Sequence, residues 1–270
     1  MSSSWSLAGR NYLVSGGSNG IGLATVKGLL DAGAETVIFC SRKPVDELLT
    51  SLKSSYPNGT IFHVMCDIAT EEGRQALYDG TKDCVNVLHG LVNNVGINIR
   101  KPLTEQTTEE FHMIMRTNVD SAYFLSKKML DLFFNNAKSG GGSATIVNVS
   151  SAAGVQSSGT GAAYGMSKAA MNQMTRNMAC EWAKRNIRVN AVTPWMTMTP
   201  MLEEAVKANP TQLDKVKMWT PMHRLGTADE IAAPIVFLSM PCSSYITGQI
   251  LGVDGGLTAQ GFDGPCVTQE

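Results

Sequence analysis

Tyr12-Leu13-Val14-Ser15-Gly16-Gly17-Ser18-Asn19-Gly20-Ile21-Gly22 carries the reading of the whole chain. An apolar run passes straight into a glycine-rich turn, and a helical pattern over 21–32 follows. Glycine permits the tight turn and lets backbone N–H groups close on an anion; the helix N-terminus adds its partial positive charge. The spacing is G-x-x-x-G-x-G through Gly16, Gly20 and Gly22, not the plain G-x-G-x-x-G form. Such a loop by itself is often an ordinary turn. A strand before it and a helix after it are what make it a phosphate cradle.

Outward from this turn, short apolar runs recur at 12–15, 36–40, 61–66, 88–92, 144–149, 187–192 and 250–253. Several lack clean alternation, as strands covered on both faces do. Helical patterns separate them at 21–32, 45–55, 70–84, 107–137, 163–185 and 227–240. Strand and helix alternate from end to end, which predicts an α/β fold: a doubly wound parallel sheet of about seven strands with helices on both faces. The 270 residues fit one Rossmann-type domain over 1–270. Ligands of such sheets bind beyond the C-terminal strand ends, so the residues after each strand matter most.

Composition narrows the function. The 22 basic and 23 acidic residues leave a net charge of -1, which argues against nucleic-acid binding through bulk positive charge. The six cysteines contain no C-x-x-C pair, and a reducing cytoplasmic compartment is expected. His63, His89, His112 and His223 are scattered without ligand spacing, so no metal is expected. Residues 231–253 are uncharged, but Pro234, Pro241 and Gly248 interrupt them, and no membrane span is expected.

The second strand ends at Cys40-Ser41-Arg42. An acid at this end would accept hydrogen bonds from an adenosine ribose and mark NAD; Arg42 instead offers a cation to a 2′-phosphate. Asp67, after the third strand, reads either as a contact for the adenine amino group or as a helix-start residue. The fourth strand leads into Asn93-Asn94-Val95-Gly96 and the fifth into Ser150-Ser151.

Tyr164 and Lys168 lie one helical turn apart on one face. The same spacing occurs at Tyr78/Lys82 and Tyr123/Lys127, so the pattern alone decides nothing. Tyr164 differs in having a serine, Ser151, thirteen residues upstream at a strand end. A free phenol titrates near pH 10, too high for efficient acid–base work at neutral pH. A nearby ammonium would lower that value. Asn118 falls inside a helical run, where asparagine is a mediocre helix former, and a water-bridged kink is expected there.

Together these residues resemble the short-chain dehydrogenase/reductase family over essentially the whole chain. Also matching are Arg188-Val189-Asn190, Thr247-Gly248 and Val253-Asp254-Gly255-Gly256. Within the family the chain is most similar to the tropinone reductase-like group, through Asn98-Ile99-Arg100-Lys101-Pro102, Ala191 to Trp195 and Ser243 to Gln249. The resemblance implies an oxidoreductase that interconverts a ketone and a secondary alcohol with NADP(H) preferred and NAD(H) possible. It implies Tyr164 as acid–base, Lys168 on the nicotinamide ribose, Ser151 as carbonyl binder and Asn118 in a proton relay. The implied cofactor site comprises Gly16, Ser18, Asn19, Gly20, Ile21, Gly22, Ser41, Arg42, Asp67, Ile68, Asn94, Val95, Gly96, Tyr164, Lys168, Pro194, Thr197 and Thr199. Substrate would meet Ser151, Tyr164, Trp195 and Met196. The family's usual threonine, alanine and basic residue are here Ser15, Val95 and Asn19, and Trp195 follows Pro194 where glycine is usual. A homodimer or homotetramer is implied, with helical stretches 107–137 and 163–185 pairing between subunits.

By the same resemblance, residues 195–222 cover the cleft. They hold Met196, Met198, Met201, Met218 and Met222 with Trp195 and Trp219, which suits a small or medium apolar carbonyl compound. A 3-oxoacyl thioester reductase would share every catalytic residue. A non-catalytic nucleotide sensor or scaffold would not need the reacting set, and a methyltransferase would not explain it.

Overall fold

The computed structural model describes residues 3–138, 142–199, 202 and 210–260. Seven parallel strands form the central sheet: β1 (Asn11–Ser15), β2 (Thr36–Ser41), β3 (Thr60–Met65), β4 (Gly90–Asn93), β5 (Ala144–Val149), β6 (Ile187–Pro194) and β9 (Ile250–Val253). Their order is β3-β2-β1-β4-β5-β6-β9. The order reverses at β1, so the ends of β1 and β4 open a crevice where the chain changes direction. Two-residue strands β7 (Thr197–Met198) and β8 (Gly226–Thr227) pair separately.

Burial follows position in the sheet. Every residue of β4, β5 and β6 is buried, as strands covered by helices on both faces must be. The edge strand β3 departs from continuous burial, with exposed Phe62 and Met65. One core layer joins Tyr12, Val14, Val37 and Phe39 to α1 (Gly20–Asp31) and α9 (Ala228–Ser239) through Val26, Leu29, Ile231 and Ile235. The other packs Leu13, Ile38, Leu91 and Ile146 under Leu77, Leu125, Phe133 and Met178. Each fully buried Leu, Ile or Phe contributes about 1.5–3 kcal/mol, so two such layers hold the strand ends rigidly.

The helices start where their chemistry predicts. Thr70 Oγ1 accepts from Gly73 N at the start of α3 (Glu71–Cys84). Capping boxes formed by Thr107 with Glu110 and Thr227 with Glu230 open α4 (Thr108–Met115) and α9. The helical run expected over 107–137 is interrupted. A π turn, Arg116–Asp120, separates α4 from α5 (Ser121–Lys128), and α6 (Leu130–Lys138) follows. The other helices are α2 (Asp46–Ser55), α7 (Ala162–Trp182) and the short α8 (Asp214–Trp219). No helix of the described residues is long and apolar enough to cross a membrane.

Candidate active site

A cleft of about 740 Å³ runs over the strand ends. Its walls bring together Gly16, Ser18, Asn19, Gly20, Ile21 and Gly22 from the first turn. They also include Ser41 and Arg42 after β2, Asp67 and Ile68 after β3, and Asn94, Val95 and Gly96 after β4, with Thr199 opposite. Cys40, Cys66, Ile97, Arg116 and Thr117 join the lining, although no motif in the sequence marks them.

The glycine turn is shaped for an anion. Gly16 has φ +69°, a conformation other residues adopt only with strain. A Cβ on Gly22 would stand 2.1 Å from the Gly16 carbonyl oxygen and 2.6 Å from Asn94 Nδ2, so only glycine lets helix and turn close. Asn19, the residue before α1, makes no side-chain cap, which leaves the first-turn N–H groups free of a side-chain acceptor. Ser15 does more than keep a hydroxyl. Its Oγ accepts from Asn94 N at 2.9 Å and Val95 N at 3.3 Å, while Asn94 Nδ2 donates to the Ser15 and Gly16 carbonyls. The two loops beneath the cleft are thus stitched together. A glycine cradle and an uncapped helix fit a dinucleotide pyrophosphate.

At the adenosine end, the exposed Arg42 guanidinium makes no hydrogen bond or ion pair among the described residues. Asp67 Oδ1 accepts from Ala69 N, and the cap of α3 is Thr70, not Asp67. Asp67 therefore shapes the turn after β3 and faces the cleft.

At the other end, α7 lays Ala163, Ser167, Met171, Thr175, Met178 and Trp182 against the body of the protein. This sets Tyr164 at the rim of its buried face and Lys168 within it. The Ser151 side chain faces the Tyr164 phenol closely enough to lower its titration, and Ser151 Oγ accepts from Ala153 N at 3.1 Å. Lys168 Nζ lies 5.8 Å from the Tyr164 ring centroid and donates to the Val149 carbonyl at 2.9 Å. The phenol, the amine and the alcohol therefore meet. Gly96 joins them to the cleft: a Cβ there would stand 3.2 Å from Lys168 Nζ and 3.4 Å from Asn118 Oδ1.

The electrostatics differ from the simple expectation of a lowered phenol. Burial raises the Tyr164 phenol above its ordinary value, and the Ser151 side chain facing it only opposes this. Burial alone pushes the Lys168 amine down to about 8. The phenol is therefore protonated at neutral pH, and burial by itself makes it a weaker acid; a positive charge beside it favours the phenolate and works the other way.

Asn118 lies within the π turn and is fully buried. Its Oδ1 accepts from Ile97 N at 2.8 Å, and its Nδ2 donates to the Ile97 carbonyl and to Ser167 Oγ. Ser167 in turn donates to the Tyr164 carbonyl at 2.7 Å. The helix distortion expected at Asn118 is present, but direct bonds to the β4 loop and α7 hold the side chain. The other Tyr/Lys pairs do not converge on a serine. Tyr78 donates to Asp131 Oδ2, and exposed Tyr123 meets Phe124 edge-on.

A comparison with protein families now settles membership: residues 16–258 match the model described as enoyl-(acyl carrier protein) reductase, a branch of the short-chain dehydrogenases/reductases. The chain belongs to the short-chain dehydrogenase/reductase family. A tropinone reductase homolog of Arabidopsis thaliana is 42% identical over 264 residues, spanning 97% of this chain and 98% of the relative. Among solved structures, an NADP active-site complex of Pseudomonas aeruginosa RhlG superposes with a TM-score of 0.88 at 32% identity. That match covers 96% of this chain and all of the other. A gluconate 5-dehydrogenase of Burkholderia cenocepacia in complex with NADP and tartrate gives a TM-score of 0.85 at 28% identity, covering 96% and 98%. As a short-chain dehydrogenase/reductase of the tropinone reductase-like group, the chain is an oxidoreductase.

Other family-matching residues serve the fold. Buried Arg188 donates to the Leu238, Met240 and Ile246 carbonyls, and Asn190 ties Ile246 and Gln249 to β6. Pro194 ends β6, and Thr197 donates to the Trp195 carbonyl. Trp195 and Met196 line a second cavity of about 500 Å³ beside β9, with Met222, Leu225 and Ile231. They are not brought into the dinucleotide cleft, and Trp195 Nε1 donates to Thr220 Oγ1. Met201 lies outside the described residues.

Proposed function

We propose that this chain is an NADP(H)-dependent carbonyl reductase acting on small or medium apolar ketones. The observation that carries the reading is the meeting of Tyr164, Ser151 and Lys168, with Lys168 against Gly96, which lines the cleft. The NADP complexes of the structural relatives support the cofactor, as does Arg42 on the cleft wall, which makes no ion pair among the described residues. Gly16 to Gly22 would hold the pyrophosphate, and Lys168 the nicotinamide ribose. The bound dinucleotide supplies hydride to the carbonyl carbon.

The chain's own residues do the rest. Ser151 Oγ holds the substrate oxygen beside the phenol. Tyr164, protonated at neutral pH, donates its proton to that oxygen in the reducing direction. The Lys168 ammonium stabilises the phenolate left behind. Asn118 holds the loop carrying Gly96 through Ile97 and links it to α7 through Ser167. A place for Asn118 in proton return follows from the family resemblance and is part of the proposal.

In this reading substrate is covered by the segment 195–222, of which 200, 201 and 203–209 lie outside the described residues, and Thr199 lines the cleft wall. The single domain 1–270 pairs with further copies through α4, α5 and α7, where Met113, Tyr123, Phe124 and Met166 are exposed. A panel of cyclic and acyclic ketones assayed with NADPH and NADH tests the function. Turnover of apolar ketones with NADPH supports it; no turnover of any ketone with either cofactor rejects it. A second reading is reduction of 3-oxoacyl thioesters, which needs the same Tyr164, Ser151 and Lys168; the matched family model shares with it only the acyl-thioester class, its description naming enoyl reduction. Inactivity on acetoacetyl thioesters would remove that alternative.

A further inference from the structure

The turn bearing Arg42 is held from behind by a residue that no motif marks. Ser41 Oγ lies 2.7 Å from the Lys43 carbonyl oxygen and 2.8 Å from His63 Nε2. A serine hydroxyl has one proton, and a carbonyl can only accept it. Ser41 therefore donates to Lys43 and accepts from His63, which places a proton on Nε2. The imidazole is steadied in turn by Phe39, with ring centroids 5.1 Å apart. Phe39 is fully buried and packs beneath the glycine turn, where a Cβ on Gly17 would stand 2.5 Å from it.

We infer that His63 is a positioning residue for cofactor choice: through Ser41 it fixes the Ser41–Lys43 turn that presents Arg42 to a 2′-phosphate. Adjacent strands provide the alignment, because Ser41 pairs with Met65 and Phe39 with His63 in the β2–β3 register. Arg42 has no hydrogen bond or ion pair among the described residues, so the backbone of this turn determines where its guanidinium starts. The turn touches the cleft at the end distant from Tyr164. Loosening it affects a ligand with a 2′-phosphate and spares one without.

This inference rests on the NADP(H) reading, and binding measurements separate the two. Fluorescence titration of the full chain gives Kd for NADPH and NADH. Adenosine 2′,5′-bisphosphate and 5′-AMP, as competitors, report the same end without the nicotinamide. His63→Phe keeps the ring packing and removes the donor, while His63→Gln restores an N–H at similar reach. We expect His63→Phe to weaken NADPH by about fivefold, the loss of one hydrogen bond, with NADH unchanged. His63→Gln recovers most of the affinity, and kcat at saturating NADPH stays at the wild-type value. His63→Leu carries the same comparison if the phenylalanine variant does not fold. An unchanged NADPH/NADH ratio, or equal weakening of both, overturns the inference while leaving the cofactor reading intact. A wild-type chain that binds NADH as tightly as NADPH overturns both.

Discussion

Lys168→Met isolates the cost of keeping an ammonium inside this protein. Lys168 is 3% exposed, and burial alone moves its titration from 10.5 to about 8. Below pH 8 the amine is charged in both folded and unfolded chains, and the folded state bears the full desolvation penalty. As pH rises from 8 toward 10.5 the folded chain gives up this proton while the unfolded chain keeps it. The unfolded state then binds more protons, so stability rises with pH across that window. Each pK unit corresponds to about 1.4 kcal/mol, so the rise amounts to about 3 kcal/mol. The methionine variant has no amine to titrate and lacks that rise. At pH 7 it also leaves the Val149 carbonyl without its donor, a cost of about 1–3 kcal/mol that offsets much of the relief. The assay is urea unfolding of the cofactor-free protein, wild type and variant, at one protein concentration between pH 7 and 10.5. We expect the variant to match or slightly exceed wild type at pH 7 and to lose about 3 kcal/mol relative to it by pH 10.5. A stability difference that stays flat across the window would show an amine titrating at its ordinary value, and the burial argued for Lys168 would be wrong.

Two further substitutions probe the support around the reacting groups. Asn118→Leu removes three hydrogen bonds and orphans both backbone groups of Ile97; it should cost about 2–5 kcal/mol, read by urea unfolding, and a loss under about 1 kcal/mol would contradict the clamp. Gly22→Ala drives a Cβ against the Gly16 carbonyl; NADPH affinity by fluorescence titration should fall at least about tenfold, and an unchanged Kd would refute the cradle.

Much of the fold was legible because its signals are local. Buried parallel strands read as apolar runs, and β5 and β9 fall on their expected residues. The glycine turn announced itself through its neighbours on both sides. What escaped depends on contacts between segments remote along the chain. Nothing in Ser15 foretells that its hydroxyl gathers Asn94 and Val95, seventy-nine and eighty residues away. His63 reads as a stray histidine until β2 and β3 align it with Phe39 and bring it to Ser41. Asn118 signalled a helix defect, but its partners, Ile97 and Ser167, emerge only when α7 meets the β4 loop. Trp195 and Met196, expected at the substrate, line the cavity beside β9, a placement that depends on β6 meeting β9 and the segment around Met222. The direction of the Tyr164 shift is likewise a tertiary property: desolvation outweighs the interactions that favour phenolate.

The proton donor is the most exposed part of the account, and Tyr164→Phe tests it. The variant removes one oxygen and leaves the glycine cradle, Arg42 and the loops they stand on untouched. Single-turnover reduction of a ketone that the wild type accepts, at saturating NADPH, should slow by about 10²–10⁴-fold, with NADPH affinity retained. Turnover at the wild-type rate would mean that another group supplies the proton.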